Sequence, residues 1–167
     1  TPWTVLAEGI ADTTEVWTIG EATFLVSVAV MFLWIPIKET PGIGTILNII
    51  IIALTIHVMV PILPQPENPL VSILMASLGI VLVGIGSCMY LTANLGPGPR
   101  DGWMTGLQRT TGIPIGRVRI AIEASVLVIG IVLGGTFGIG TILFAVTIGP
   151  VVASCLSIAS RIDSTTG

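Results

Sequence analysis

The residues best placed to do chemistry lie in the segment Gly96–Thr111 and in the apolar stretch that follows it. Arg100 and Asp101 come directly after a glycine- and proline-rich turn, and Arg119 and Glu123 follow with a spacing of one helical turn. A helix starting near residue 115 would place Glu123 about 12 Å along its axis. An ionisable group at that depth in a membrane helix is a functional candidate that needs a partner. Two interpretations of Glu123 stay open: a charge pair with Arg119 that fixes packing, or a carboxylate coupled to protons or substrate.

Several neighbouring residues also have two interpretations. Asp101 is either part of a site or the N-cap of a short helix, and Arg100 either holds an anionic group or fixes topology against lipid phosphates. Trp3 and Trp103 either line the site or anchor an interfacial helix among lipid head groups. We interpret His57, the only histidine, as a hydrogen-bonded packing residue.

The same inventory argues against catalysis. The sequence contains no nucleophile–base pair with a third member, no zinc motif and no pair of acids at a suggestive spacing. We therefore expect no enzyme activity, no cofactor and no metal. Six basic residues against nine acidic residues also argue against a nucleic-acid binder.

The elements that position these residues are predicted by composition. Charged residues make up only 9% of the 167 residues, hydrophobic residues 53%, and the mean hydropathy is +1.03. A soluble domain has about 25% charged residues, so the chain is predicted to be an all-α, polytopic transmembrane helix bundle with short interrupted or re-entrant helices. The five predicted spans are Ile19–Ile35, Ile43–Leu63, Leu70–Ala93, Ile115–Leu133 and Ile139–Ser160.

An internal repeat organises these spans. Gly42–Leu47 recurs as Gly138–Leu143 at an offset of 96, and Pro2-Trp3-Thr4 aligns with Pro99-Arg100-Asp101 at an offset of 97. We assign the first repeat to 1–64 and the second to 65–167. The first repeat lacks the counterpart of the span at 70–93, so we expect a further span before Thr1. Three spans per repeat would place the copies in opposite orientations, a 3+3 inverted repeat of the kind found in secondary transporters.

Orientation is predicted from the basic residues, which all fall in segments on one side of the predicted membrane. They are Lys38, Arg100, Arg109, Arg117, Arg119 and Arg161. The positive-inside rule makes that side, and the C-terminus, cytoplasmic.

The segment Leu91–Leu107, with Thr111-Gly112 and Gly134–Phe144 after it, resembles the YczE-type proteins of the YczE/YyaS/YitT grouping of bacterial membrane proteins. The start Pro2–Leu6 fits the first half of that family. The resemblance implies a multi-pass protein of the bacterial inner membrane and gives no substrate. Thr4 departs from the acid expected at its position by comparison with Asp101.

We predict a small inner-membrane permease for an unidentified small solute, with its site between the two repeats. The predicted site residues are Trp3, Thr4, Asn48, Arg100, Asp101, Trp103, Arg119 and Glu123. Membrane lipids are expected partners, and a homodimer is left open. The alternative is a membrane scaffold or accessory subunit that binds a partner protein and moves no solute. A transporter needs a polar, water-reached cavity at Glu123 and Arg100, whereas a scaffold can be packed dry.

Overall fold

The computed structural model describes residues 1–14, 16–64, 66–93 and 95–166, without the side chains at 91, 115, 153, 156 and 159–166. All regular elements in this part of the chain are α-helices, as predicted. They are α1 (Pro2–Thr14), α2 (Ile19–Phe32), α3 (Trp34–Ile37), α4 (Ile43–Met59), α5 (Pro69–Thr92), α6 (Pro99–Thr111), α7 (Ile115–Val132) and α8 (Ile139–Thr166). The side chain of Arg161, which the orientation argument uses, lies outside the described residues.

Local sequence signals explain where these helices begin and end. The side chain of Thr18 caps α2 and forms a reciprocal capping box with Glu21. Helix α6 begins with Pro99 at its first position and ends at Gly112, which takes the left-handed conformation. This confirms the predicted short helix over Arg100–Arg109.

The long apolar segments agree with the predicted spans only in part. Two helical segments, Ile19–Ile37 and Pro69–Tyr90, are long and apolar enough to cross a membrane, and the helices at Ile43–Met59 and Ile139–Val152 are apolar but shorter. Helix α4 ends at Met59, before Pro61, instead of reaching Leu63 as predicted. The number of spans and the inverted repeat stay predictions.

The chain divides into two compact units. The first contains α5 and α8, in residues 64–94 and 138–167, and the second contains the other helices, in residues 2–63 and 95–137. In the first unit, Gly84 of α5 contacts the side chain of Val151 in α8, and a Cβ at Gly84 would overlap it. Cys88 is buried, and Cys155 lies within hydrogen-bonding reach of its thiol.

The second unit is built by crossed packing between the two halves of the sequence. Helix α1 packs against α7, and α6 packs against α2 and α3. The buried side chains of its largest apolar cluster come from α1, α2, α6 and α7: Trp3, Val26, Val30, Met104, Val118, Ile122 and Val126. The charged residues of α6 and α7 therefore stand beside a core to which both halves contribute.

Polar contacts join the ends of helices within the second unit. The carboxylate of Glu8 accepts hydrogen bonds from the amide and hydroxyl of Thr136, at 3.1 and 2.8 Å. A different set of ends is joined by the ion pair between Arg109 and Glu39, at 2.6 Å. The predicted orientation places Glu8 and Thr136 in periplasmic segments. It places Glu39 and Arg109 in cytoplasmic segments.

Candidate functional site

The start of α6 is held in place by two side chains from the first half of the chain. The indole N–H of Trp34, which is only 2% exposed, donates to the carbonyl of Pro99 at 2.9 Å. The hydroxyl of Thr45, which is fully buried, donates to the carbonyl of Pro97 at 2.7 Å. Buried carbonyls need such donors, and here both are supplied by side chains. The backbone that carries Arg100 and Asp101 is therefore fixed on both sides.

Arg100 lies against the other half of the repeat. Its guanidinium carbon is 4.8 Å from the centre of the Trp3 ring, which is cation–π geometry. Trp3 is buried at 5% exposure, so its interpretation as a head-group anchor is wrong. Trp103 is half-buried and packs against the apolar cluster around Trp3. The indole of Trp3 gives Arg100 a partner without neutralising its charge.

Asp101 is in the first turn of α6, but it does not cap the helix. Gly98 holds the N-cap position, so the N-cap interpretation of Asp101 is wrong. The carboxylate of Asp101 and the amide of Asn48 both border Gly98, each with an oxygen 3.4 Å from where a Cβ on Gly98 would stand. Asn48 of α4 is thereby placed beside the acid of α6. A methyl group at Gly98 would be in ordinary van der Waals contact with both oxygens.

Arg119 and Glu123 form the pair that their spacing indicated. Nε of Arg119 is 3.0 Å from Oε1 of Glu123, and the two side chains are 40% and 18% exposed. Both residues flank the buried stripe of Val118, Ile122 and Val126 on α7. The pair is therefore at the margin of the apolar core and is not enclosed by it.

The four charges of this cluster interact across α6 and α7. Burial raises the pKa of Asp101, Arg119 lowers it and Glu123 raises it. Burial lowers the pKa of Arg100 to about 10, and the charge of Glu123 acts in the opposite direction. Arg100 is thus a cation at neutral pH, and the proton affinity of Asp101 responds to both neighbours. We call Trp3, Asn48, Arg100, Asp101, Arg119 and Glu123 the charge cluster.

One predicted site residue, Trp103, packs in the apolar wall beside the charge cluster, and two site-forming residues were missed. Thr4 is half-buried next to Trp3 on α1. Trp34 and Thr45, which hold the start of α6, were not predicted. The repeated hexapeptide was a usable signal for Thr45, because both it and its repeat counterpart Thr141 are buried. No comparable signal marks Trp34.

The described residues contain no group of three or more His, Cys, Asp or Glu side chains that could hold a metal ion. The cluster combines two guanidinium groups, two carboxylates, an amide and an indole. Such groups can bind polar parts of a small solute or exchange a proton at a carboxylate.

Comparison with known proteins places the chain in a family without a described activity. A family of unknown function, DUF6198, matches residues 1–157. An uncharacterised protein of Haemophilus influenzae is 46% identical over 162 residues, covering 97% of this chain and 74% of the relative. The uncharacterised membrane protein YczE of Bacillus subtilis is 35% identical over 133 residues, covering 79% of this chain and 62% of the relative.

No solved structure matches the chain. The family match extends over both halves of the charge cluster and over every helix that supports it. The chain is a membrane protein and belongs to the YczE-like family DUF6198.

Proposed function

We propose that this membrane protein is a permease for a small polar solute, with the charge cluster as its solute site. The observation that carries the proposal is the grouping of Arg100, Asp101, Arg119 and Glu123 in a chain that has only 9% charged residues. Ionisable groups inside membrane proteins are costly and typically mark substrate or ion pathways. A structural ion pair would need only Arg119 and Glu123, whereas this cluster adds a second cation and a second acid on α6.

The proposed mechanism uses the different surroundings of the two carboxylates. Glu123 is in an ion pair with Arg119, and burial raises the pKa of Asp101 beside Gly98. A proton would therefore bind at Asp101 more readily than at an exposed carboxylate. Arg100, held over Trp3, is available to an anionic group.

We further propose that the whole protein is a 3+3 inverted repeat in the bacterial inner membrane, with a cytoplasmic C-terminus. Matched contacts support the repeat: Gly9 packs on Leu133, and Gly106 packs on Ile37. The offsets of 97 and 96 relate the two glycines and the two apolar residues, so each half seats its short helix against the matching position of the other half. Trp3 and Arg100, which contact each other, are also related by the offset.

Single cysteines in a cysteine-free background test this topology. Glu67→Cys and Thr136→Cys should react with a membrane-impermeant maleimide added to intact cells, and Thr40→Cys and Gln108→Cys should react only after lysis. The reverse pattern would overturn the orientation.

A solute screen tests the permease role. Small polar solutes are added to the purified full-length protein and its melting temperature is recorded, since a ligand that binds the native state stabilises it. A solute of the site should stabilise the wild type and not Arg100→Gln, and proteoliposomes with the wild type should take it up. A stabilising solute that is never taken up, or whose effect Arg100→Gln retains, would contradict the proposal and favour the scaffold alternative.

A further inference from the structure

A second feature of the second unit lies outside the charge cluster. A groove of about 440 Å³ runs between α2 and α4. Its walls are apolar and include Phe24, Leu25, Ile50 and Leu54, whereas its ionisable lining residues are Glu21 and His57. Glu21 is in the first turn of α2 and His57 is in the last turn of α4, so both polar groups stand at the same end of the groove.

The polar end is organised by one hydroxyl group. The carboxylate oxygen Oε2 of Glu21 accepts the backbone N–H of Thr18 at 2.8 Å and lies 2.9 Å from the Thr18 hydroxyl. The same hydroxyl oxygen lies 3.0 Å from Nδ1 of His57. Thr18 therefore links the carboxylate and the imidazole.

The partner to which Thr18 donates its single hydroxyl proton determines which hydrogen-bonding atoms Glu21 and His57 offer to a ligand. A hydroxyl donates preferentially to a carboxylate, because a charge-assisted hydrogen bond is the stronger one. Nδ1 of His57 must then be the donor to Thr18, and Nε2 is an acceptor when the ring is neutral. Oε1 of Glu21 has no hydrogen-bond partner among the described residues. The polar end thus offers two acceptors, one of them negatively charged.

The apolar part of the groove has the form of a channel for a chain. Ile50, Leu54 and His57 follow one face of α4 over about 10 Å, roughly two helical turns, opposite Phe24 and Leu25 of α2. Phe24 and Leu54 are 42% and 58% exposed in the described part of the chain. Trp17, which is next to the polar end, is the kind of residue found where membrane helices meet the head-group layer.

We propose that this groove binds a phospholipid with a primary ammonium head group, of the phosphatidylethanolamine type. The ammonium donates to Oε1 of Glu21 and Nε2 of His57, and one acyl chain lies along the walls of α2 and α4. A choline head group has the same charge but no N–H donor, so it cannot make these hydrogen bonds. The described lining residues include no Lys or Arg, which argues against an anionic head group. This inference does not rest on the permease role.

The acceptor pair is a property of the first half alone. At the repeat offset of 96, Arg117 stands for Glu21 and Ala153 stands for His57. An arginine and an alanine could not receive an ammonium group. The proposed lipid site is therefore single in the chain and independent of the internal repeat.

The test measures lipid binding to the full-length protein by native mass spectrometry. Ethanolamine and choline phospholipids with identical acyl chains are added to the delipidated protein in detergent. The wild type should prefer the ethanolamine lipid by about tenfold or more, the size expected of one charge-assisted hydrogen bond. Equal binding of the two lipids would overturn the proposal.

Glu21→Gln is the sharpest variant, because glutamine at this position also completes a capping box and keeps the start of α2 intact. It should bind both lipids equally well while its melting temperature stays close to that of the wild type. A retained preference in this variant would place the ammonium elsewhere and overturn the site.

A blocking variant tests the acyl-chain part of the groove. Ile50→Trp fills the groove, whereas Ile51→Trp adds the same volume at a neighbouring, 57% exposed position that does not line it. The first should lose the ethanolamine preference and the second should keep it. Leu25→Trp, from the opposite wall, repeats the test should Ile50→Trp fail to fold. A preference for the ethanolamine lipid in both Ile50→Trp and Leu25→Trp would show that the lipid does not bind in the groove.

Discussion

Helices α1 and α6 hold related positions in the two halves of the chain, but they are seated by different kinds of contact. A Cβ on Gly9 of α1 would be 2.6 Å from the backbone oxygen of Gly130, in α7. A Cβ on Gly106 of α6 would instead meet the tip of the Ile37 side chain. Backbone cannot move aside as a side-chain methyl group can. Helix α1 is therefore seated rigidly at Gly9, whereas the part of α6 around Gly106 is seated where small adjustments are possible.

The two helices also differ in the charge that they carry. Helix α1 contributes Trp3 and the neutral Thr4 to the interior, whereas the matching positions of α6 are Arg100 and Asp101. Charge is thus concentrated at the start of α6, which the side chains of Trp34 and Thr45 hold in place.

The largest loss of stability is expected for a substitution at Gly9, where α1 contacts the backbone of α7. Gly9→Ala should destabilise the protein by about 3 kcal/mol, because the new methyl group must displace backbone of α7. Gly106→Ala should cost about 1 kcal/mol, and the added change Ile37→Val should restore most of the loss. Melting temperatures of the purified variants measure both. Similar losses for the two glycines would show that α1 and α6 are seated alike.

The next largest change in stability is expected at Asp101, whose matching residue in α1 is the neutral Thr4. Asp101→Asn removes a carboxyl group whose folded-state pKa is raised by burial. A raised carboxyl pKa means that the folded protein holds this proton more tightly than the unfolded chain does. The acid therefore costs stability at neutral pH, and the cost disappears as pH falls below its unfolded value near 3.9.

Asp101→Asn should consequently melt about 2–4 °C above the wild type at pH 7, with the difference shrinking toward pH 4. Thr4→Val, at the matching position of α1, should show no such pH dependence. A melting difference that grows on acidification would mean that Asp101 is stabilised as an ion, contrary to the account.

The smallest effect is expected at Glu123, whose matching residue in the first half is Ser27. Removal of one partner from a buried ion pair would cost about 3–5 kcal/mol. The Arg119 side chain is 40% exposed, however, so Glu123→Gln should cost less than about 1 kcal/mol. The variant should express and melt like the wild type. Severe destabilisation would assign the pair to packing.

The sequence predicted the helical class, the short helix α6 and the pairing of Arg119 with Glu123, because each depends on local periodicity or spacing. It did not predict that Trp3 would be buried beneath Arg100, since tryptophan near a helix start is equally typical of a membrane interface. It also did not predict Trp34 and Thr45 as supports of α6. Those contacts join residues more than fifty positions apart, and nothing local in the sequence encodes which carbonyl a distant donor will reach.

The polar end of the groove between α2 and α4 could also be predicted only in part. His57 was expected to be a hydrogen-bonded residue, and its contact with Thr18 confirms this. Its grouping with Glu21 depends on how two helix ends meet, which the apolar run around His57 does not specify. Helix bounds were also uncertain where proline follows an apolar run, as at the end of α4.

Water access to Asp101 shows most directly whether the charge cluster can be a solute site. In a cysteine-free background, Asp101→Cys and the buried control Ile122→Cys are treated in membranes with a hydrophilic thiosulfonate, with exposed Gln108→Cys as the reference. The account predicts that the thiol at 101 reacts within about a hundredfold of the reference rate, while the thiol at 122 stays unmodified. A thiol at 101 as inert as the one at 122 would show a dry, packed core and would contradict a solute site there.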